Sequence, residues 1–364
     1  MKITIPINPL KFSHGSYEEY VKTPPSGIEY EFLKDFNDLN SLKVLNSNSD
    51  LIEAGDKCVV NNKKWIISTA SFTQYASFDF FGNYMSRNFR VELLRKIMLK
   101  DNLKKIVFKS QYGFDTLKTY GNIKDKEILE KCCVVYPAMS KVDVIKKKHD
   151  GFNILIVGSD FIRKGGKQLI DAFEKLQIKF DNINLIIVSH FNELNSRFDP
   201  FNQKNAIYKR IIKNHNIKIT GHIKREEVLN NYFPYADVFI FPTMEDTTPF
   251  TLNEAIAFGL PIISSDIYSM PEMFKDNQNS LLINIKDNEF YRDLSKFRNS
   301  NDKYEIPNSL NETLFNGIYE KLKLLIEDSS LRKRLSKNVL NDARTKFSII
   351  SRNKLIKSIY EESI

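Results

Sequence analysis

Residues 236–272 read ADVFIFPTMEDTTPFTLNEAIAFGLPIISSDIYSMPE, and no other stretch limits the fold of the chain as strongly. Val238–Phe241 is a short apolar run of β-formers closed by Pro242. Residues 243–247 are polar and turn-like. Thr248 is placed as an N-cap, with Pro249 at the first helical position, where a missing N–H costs nothing. Leu252, Ala255 and Ile256 then recur at helical spacing, and Gly259 predicts the end of the helix. Pro261 opens a second apolar run, Ile262 and Ile263. The pattern is a βαβ unit whose polar loop lies at the carboxyl end of its first strand, the edge where ligands collect in open α/β sheets. That loop holds Glu245, Asp246 and Thr247, and Glu254 follows in the first turns of the helix. The free N–H groups near Phe250, Thr251 and Leu252 suit an anion such as a phosphate.

A second strand-turn-helix pattern lies upstream. Phe152–Val157 reads as a buried strand, ended by Gly158, and SDFIRKGGKQLIDAFEKL follows. Leu169, Ile170, Phe173 and Leu176 give that helix an apolar face. In the turn, Arg163 can bridge phosphate oxygens and Lys164 supplies a point charge. Gly165 and Gly166 let the backbone come close to a ligand. The R-K-G-G run alone carries little information. Its pairing with an acidic loop about 80 residues later gives it weight.

Together these segments resemble family-4 retaining glycosyltransferases of the GT-B fold (glycosyl transferases group 1). That family has an acidic residue, seven others, a Glu at a helix start, then A-x-A-x-G-x-P-V-I and a later P-E. Here Asp246 and Glu254 take the acidic positions, AIAFGLP spans 255–261, and Pro271-Glu272 supplies the later pair. Asp246 departs from the usual Glu, which Glu245 beside it could supply. The upstream segment resembles the family's donor-diphosphate motif in the spelling G-x-D-F-x-R-K-G, with Ser159 at the commoner Arg position. The resemblance implies two Rossmann-like domains facing each other across a cleft, with a C-terminal helix crossing back to the first. It implies an acceptor domain over 1–145, a donor domain over 146–345 and the returning helix over 346–364.

The implied reaction moves a sugar, with retention, from a nucleotide-diphosphate sugar to a hydroxyl of a glycan, lipid-linked or other acceptor. Arg163 and Lys164 would stabilise the leaving diphosphate, Glu254 would hold the ribose, and Asp246 or Glu245 the sugar. Gly158, Ser159, Gly165 and Thr247 complete the expected donor contacts, with His222-Ile223 in a G-x-V-type turn near the nucleobase. His14 and Ser110 are the acceptor-side candidates. His14 is followed by no other histidine until His149, in a linker expected over 140–150. No metal or other cofactor is implied, and no His, Asp or Glu spacing suggests a metal.

Composition narrows the alternatives. A length of 364 residues allows two domains, and 42% hydrophobic with 27% charged residues is ordinary for a soluble protein. Three cysteines, Cys58, Cys132 and Cys133, lack metal-type spacing and fit a reducing, cytoplasmic setting. No signal peptide or membrane span is expected. The net charge is +9, and residues 1–150 hold 24 basic against 18 acidic side chains. A basic balance admits an anionic substrate, a peripheral contact with the inner membrane face, or nucleic acid. Nucleic acid rests on charge alone and is not expected as a partner. An epimerase of the same fold is the nearer alternative. A dinucleotide-dependent oxidoreductase would need G-x-G-x-x-G after an early strand with an acid about 20 residues on, a pattern that is missing.

In the first half, residues 2–7 alternate like an opening strand, Trp65-Ile66-Ile67 suggest a buried strand, and residues 68–81 form an aromatic, polar loop. The clearest helix is predicted over 90–105, with a basic face that fits a membrane surface or plain solvent. A strand follows at Ile106-Val107-Phe108. Helices are predicted over 314–326, 331–347 and 349–363.

Overall fold

The computed structural model describes residues 1–5, 15–32, 42–43, 48–55, 58–59, 62–77, 86–144, 146–189, 191, 196–221, 223–292 and 303–364. His14, His222 and residues 78–81 of the aromatic loop lie outside these. The chain divides into two compact units, Met1–Ser140 with Lys346–Ile364, and Lys141–Thr345.

The first unit is built on six parallel strands: β1 (Lys2–Ile5), β2 (Glu29–Phe32), β4 (Leu51–Glu53), β6 (Trp65–Thr69), β7 (Leu103–Phe108) and β8 (Cys132–Val134). Two short strands, β3 (Leu42–Lys43) and β5 (Cys58–Val59), pair separately. The sheet order is β2-β1-β4-β6-β7-β8, a doubly wound order with its switch between β1 and β4. Strand β6 shows why both faces must be covered. Trp65 and Ile67 enter one apolar cluster and Ile66 the other, so every residue of the strand is buried. Its helices are α1 (Gly15–Lys22), α2 (Phe72–Tyr75), α3 (Arg87–Met98), α4 (Gln111–Thr119) and α5 (Lys126–Lys131).

Helix α3 is earlier and shorter than the predicted 90–105. The Ser86 hydroxyl accepts from Phe89 N–H at its start, and the chain turns at residues 99–102. Leu103 therefore begins strand β7 and pairs with Trp65. The basic face is partly engaged, since Arg95 grips the Asp125 carboxylate at 2.6 and 2.8 Å.

The second unit carries β9 (Phe152–Val157), β10 (Ile183–Val188), β11 (Ile217–Thr220), β12 (Val238–Phe241), β13 (Ile262–Ser265) and β14 (Leu281–Ile283). All pair in parallel, in the order β11-β10-β9-β12-β13-β14. Numbered within the unit this is 3-2-1-4-5-6, the dinucleotide-fold order, with its switch between β9 and β12. The connecting helices include α6 (Gly166–Gln177), α7 (Lys204–Lys213), α8 (Arg225–Asn231), α9 (Phe250–Ala257), α10 (Met270–Met273) and α11 (Glu289–Arg292). Long helices α12 (Asn308–Glu327) and α13 (Ser329–Arg344) follow; α12 extends past both ends of its predicted span, whereas α13 starts two residues before the predicted 331 and ends three short of 347. The lysines of the expected linker are docked on this unit. Lys147 donates to Asn230 O at 3.1 Å and Lys146 to Ala236 O at 3.3 Å.

The last helix, α14 (Ile349–Ser363), returns to the first unit. Ile356, Ile359 and Tyr360 join Ile3, Leu51, Ile66 and Val107 in one cluster. Tyr360 donates its hydroxyl proton to the buried Glu53 carboxylate, and the Tyr30 hydroxyl lies 3.1 Å from that of Tyr360. The Arg352 guanidinium stacks 3.4 Å from the centre of the Tyr20 ring. Among the described residues no helix is long and apolar enough to cross a membrane.

Candidate functional site

The loops that leave β9 and β12 lie side by side at the switch point of the second sheet. Residues 158–165 lead into α6 and residues 242–249 into α9. The Met244 N–H donates to Arg163 O at 2.9 Å and ties them together. Gly165 makes the approach possible. Its φ is +74°, and a Cβ there would stand 2.4 Å from Pro242 O. At Gly158 the backbone runs against the Lys164 stem, with a Cβ placed 3.3 Å from Lys164 Cγ.

Both expected cations meet the acidic loop. The buried Lys164 ammonium pairs with Asp246 Oδ2 and lies 4.4 Å from the centre of the Phe241 ring. Burial pushes its pKa down to about 8, and the Asp246 carboxylate pulls the other way. Arg163 donates through Nη1 to Glu245 O, and the same nitrogen lies 4.0 Å from Asp246 Oδ2. Asp160 orients this arginine, with Oδ1 3.1 Å from its N–H and Oδ2 3.4 Å from its Nε. Lys164, Arg163 and Asp246 thus converge across two loops separated by about 80 residues.

The carboxylates of the acidic loop have different partners. Asp246 faces the cations, whereas Glu245 turns to Arg197, whose Nη2 lies 3.0 Å from both of its oxygens. Glu254 is buried on α9 and accepts from Arg225 Nε at 2.5 Å, while the Arg225 guanidinium lies 5.5 Å from the centre of the Phe250 ring. Removing one partner of so buried a pair leaves an uncompensated charge, at a cost of about 3–5 kcal/mol.

The helix start differs from the sequence expectation. Pro249 occupies the cap position and Phe250 is the first helical residue. The Thr248 hydroxyl makes no cap bond and is buried without a partner among the described residues. Leu252 N–H is spent on Pro249 O at 3.2 Å, so the anion-facing donors reduce to Phe250 and Thr251. Thr247 is half-buried in the loop between. Ser159 is exposed, and its carbonyl accepts from the Ser189 hydroxyl at 3.1 Å. Ile223 is half-buried just before α8.

Ser110, expected beside an acceptor, belongs to the other unit. It is fully buried and caps α4, its hydroxyl accepting from Gly113 N–H at 3.0 Å. Three partners were not singled out from sequence: Arg197, Arg225 and Tyr291, whose hydroxyl donates to Met244 O at 2.9 Å. Each comes from a polar or mixed stretch without a motif of its own. Among the described residues no cluster of three or more His, Cys, Asp or Glu side chains could hold a metal ion.

The family described as glycosyl transferases group 1 matches residues 140–312. An uncharacterized 41.2 kDa protein in the cps region of Klebsiella pneumoniae is 23% identical over 188 residues, 50% of this chain and 48% of that protein. The capsular polysaccharide biosynthesis glycosyltransferase CapM of Staphylococcus aureus is 22% identical over 203 residues, 56% of this chain and 44% of CapM. The chain thus matches a little under half the length of these curated relatives. A solved glycosyltransferase from Rickettsia africae superposes with a TM-score of 0.64 at 15% identity, covering 99% of this chain and 97% of its own. Anabaena HepE, solved with UDP and glucose, gives 0.64 at 12% identity over 99% of both chains. The chain therefore has the GT-B fold of two Rossmann-like domains, and residues 140–312, which carry both loops of the site, match the family described as glycosyl transferases group 1.

Proposed function

We propose that the protein is a retaining glycosyltransferase that takes a sugar from a nucleotide-diphosphate sugar held on the second unit. The acceptor is a glycan or lipid-linked hydroxyl compound served by the first unit. The observation that carries this reading is the convergence of Arg163 and Lys164 with Asp246 at the β9/β12 switch point. Departure of the nucleotide places negative charge on the diphosphate. Two fixed cations and the N–H groups of Phe250 and Thr251 stabilise that charge where it develops. Arg225 fixes the Glu254 carboxylate so that it can accept the ribose O–H groups. Asp246 orients the sugar, and the leaving phosphate takes the acceptor proton in a same-face attack, a route that needs no protein nucleophile. HepE, whose solved complexes contain UDP and UDP-glucose, supports a nucleotide-sugar donor, and CapM supports a polysaccharide product.

A nucleotide-release screen over UDP-, GDP-, ADP- and CMP-linked sugars tests the reading, with Lys164→Ala and Glu254→Ala as controls. One nucleoside-diphosphate class should be turned over. Each variant should lose about 100-fold or more, the scale of removing one preorganised charge partner. Full turnover by both variants would refute the site.

A further inference from the structure

Glu245 and Asp246 are adjacent in sequence, yet their carboxylates meet different partners. Asp246 points to Lys164, while Glu245 is held by Arg197. The Arg197 guanidinium in turn lies 5.3 Å from the centre of the Tyr304 ring, and Tyr304 N–H donates to Arg197 O at 2.7 Å. Phe198 packs on Tyr304 and Phe290 at 5.5 and 6.2 Å. Phe290 packs edge-on against Tyr291, which returns to the loop by donating to Met244 O at 2.9 Å. The acidic loop is therefore braced by a run of contacting side chains, Arg197, Phe198, Phe290, Tyr291 and Tyr304. From within, the Thr243 hydroxyl donates to Glu245 O at 3.0 Å.

We infer that Arg197 is a positioning residue: it sequesters the Glu245 carboxylate and so leaves Asp246 as the acidic group that meets the donor sugar. The second half of this statement rests on the donor-site reading above. The physical reason lies in competition. Two neighbouring carboxylates on one loop face two cations on the other, and a released Glu245 would compete with Asp246 for Lys164 and Arg163. A guanidinium suits the holding task because one planar group can bond a carboxylate and stack on an aromatic ring together.

The test is a double-substitution cycle in the full chain, Arg197→Ala, Glu245→Gln and both, read by denaturant unfolding and by donor kinetics, with Asp246→Asn alongside. Arg197→Ala should lower kcat about tenfold while the donor KM stays within about twofold. Adding Glu245→Gln should restore kcat to within about threefold of the parent and recover the unfolding midpoint, because the stranded carboxylate is gone. Asp246→Asn should cost about 100-fold in kcat, and Glu245→Gln alone far less. A loss from Glu245→Gln as large as that from Asp246→Asn overturns the inference, as does an additive cycle. If the parent turns over no donor, the proposed function fails and the sugar assignment falls with it. The unfolding cycle then still decides whether Arg197 holds Glu245.

Discussion

Burial lowers the Lys164 ammonium to about 8, against the pull of Asp246. In the unfolded chain a lysine titrates near about 10.4. Between those values the unfolded state binds more protons, so this residue makes stability rise with pH from about 8 to about 10; below that window the cost of its buried charge is fully present. Donor capture has the opposite sign, because the diphosphate needs the charged form. The donor kcat/KM should fall by up to about tenfold per unit above the free-enzyme value, and Lys164→Arg should abolish that limb. A pH profile of kcat/KM checks both statements, and a flat wild-type profile from pH 7 to 10 would contradict them. At this scale the sequence reveals the cations and the paired acids, because short loops between buried strands leave few places for them to go. It hides Arg197 and Arg225, whose partners are fixed only once β11, β10 and β12 bring distant stretches together. Asp246 and Glu245 were indistinguishable as letters; Arg197 separates them by geometry.

The elements that hold the site are sharply defined by backbone requirements. Gly165 combines a φ of +74° with 2.4 Å between a would-be Cβ and Pro242 O. Gly165→Ala should therefore destabilise the second unit by about 1–3 kcal/mol and lower nucleotide turnover. Gly221 has nothing within 4 Å of such a Cβ, and Gly221→Ala there should stay within about 0.5 kcal/mol. Urea midpoints of the two variants make the comparison; equal midpoints would show that the approach of the two loops is not tight. The strands β9 and β12 were legible because each is a continuous buried run closed by Gly or Pro. The helix α3 was misplaced at both ends because its basic periodicity runs on past Met98, where only the pairing of Leu103 with Trp65 reveals the strand. The start of α9 shifted by one residue for a related reason. Thr-Pro has the composition of a cap and first turn, but Pro249 itself takes the cap conformation, with ψ of 114°.

The two units differ in how the chain builds them. The second is continuous from Lys141 to Thr345, whereas the first needs Lys346–Ile364 to complete its cluster around Ile3, Leu51 and Ile66. Deleting residues 349–364 removes Ile356, Ile359 and Tyr360 from that cluster and leaves Glu53 without its tyrosine. Amide exchange should then lose protection in β1, β4 and β6 while β9, β10 and β12 keep theirs. Equal loss in both sheets would mean that the units fold as one. Apolar spacing, Tyr360 included, foretold the last helix, and the family resemblance foretold its return to the first unit; neither foretold the buried Arg352. This layout also sets an order of events at the ribosome. At synthesis rates of about 5–20 residues per second, the first sheet waits some ten seconds or more after its last strand before α14 emerges. The continuous unit, made later, can close first. The nascent first unit therefore spends that interval with an apolar face uncovered, and the translation of 141–345 is the period in which a chaperone has most to shield.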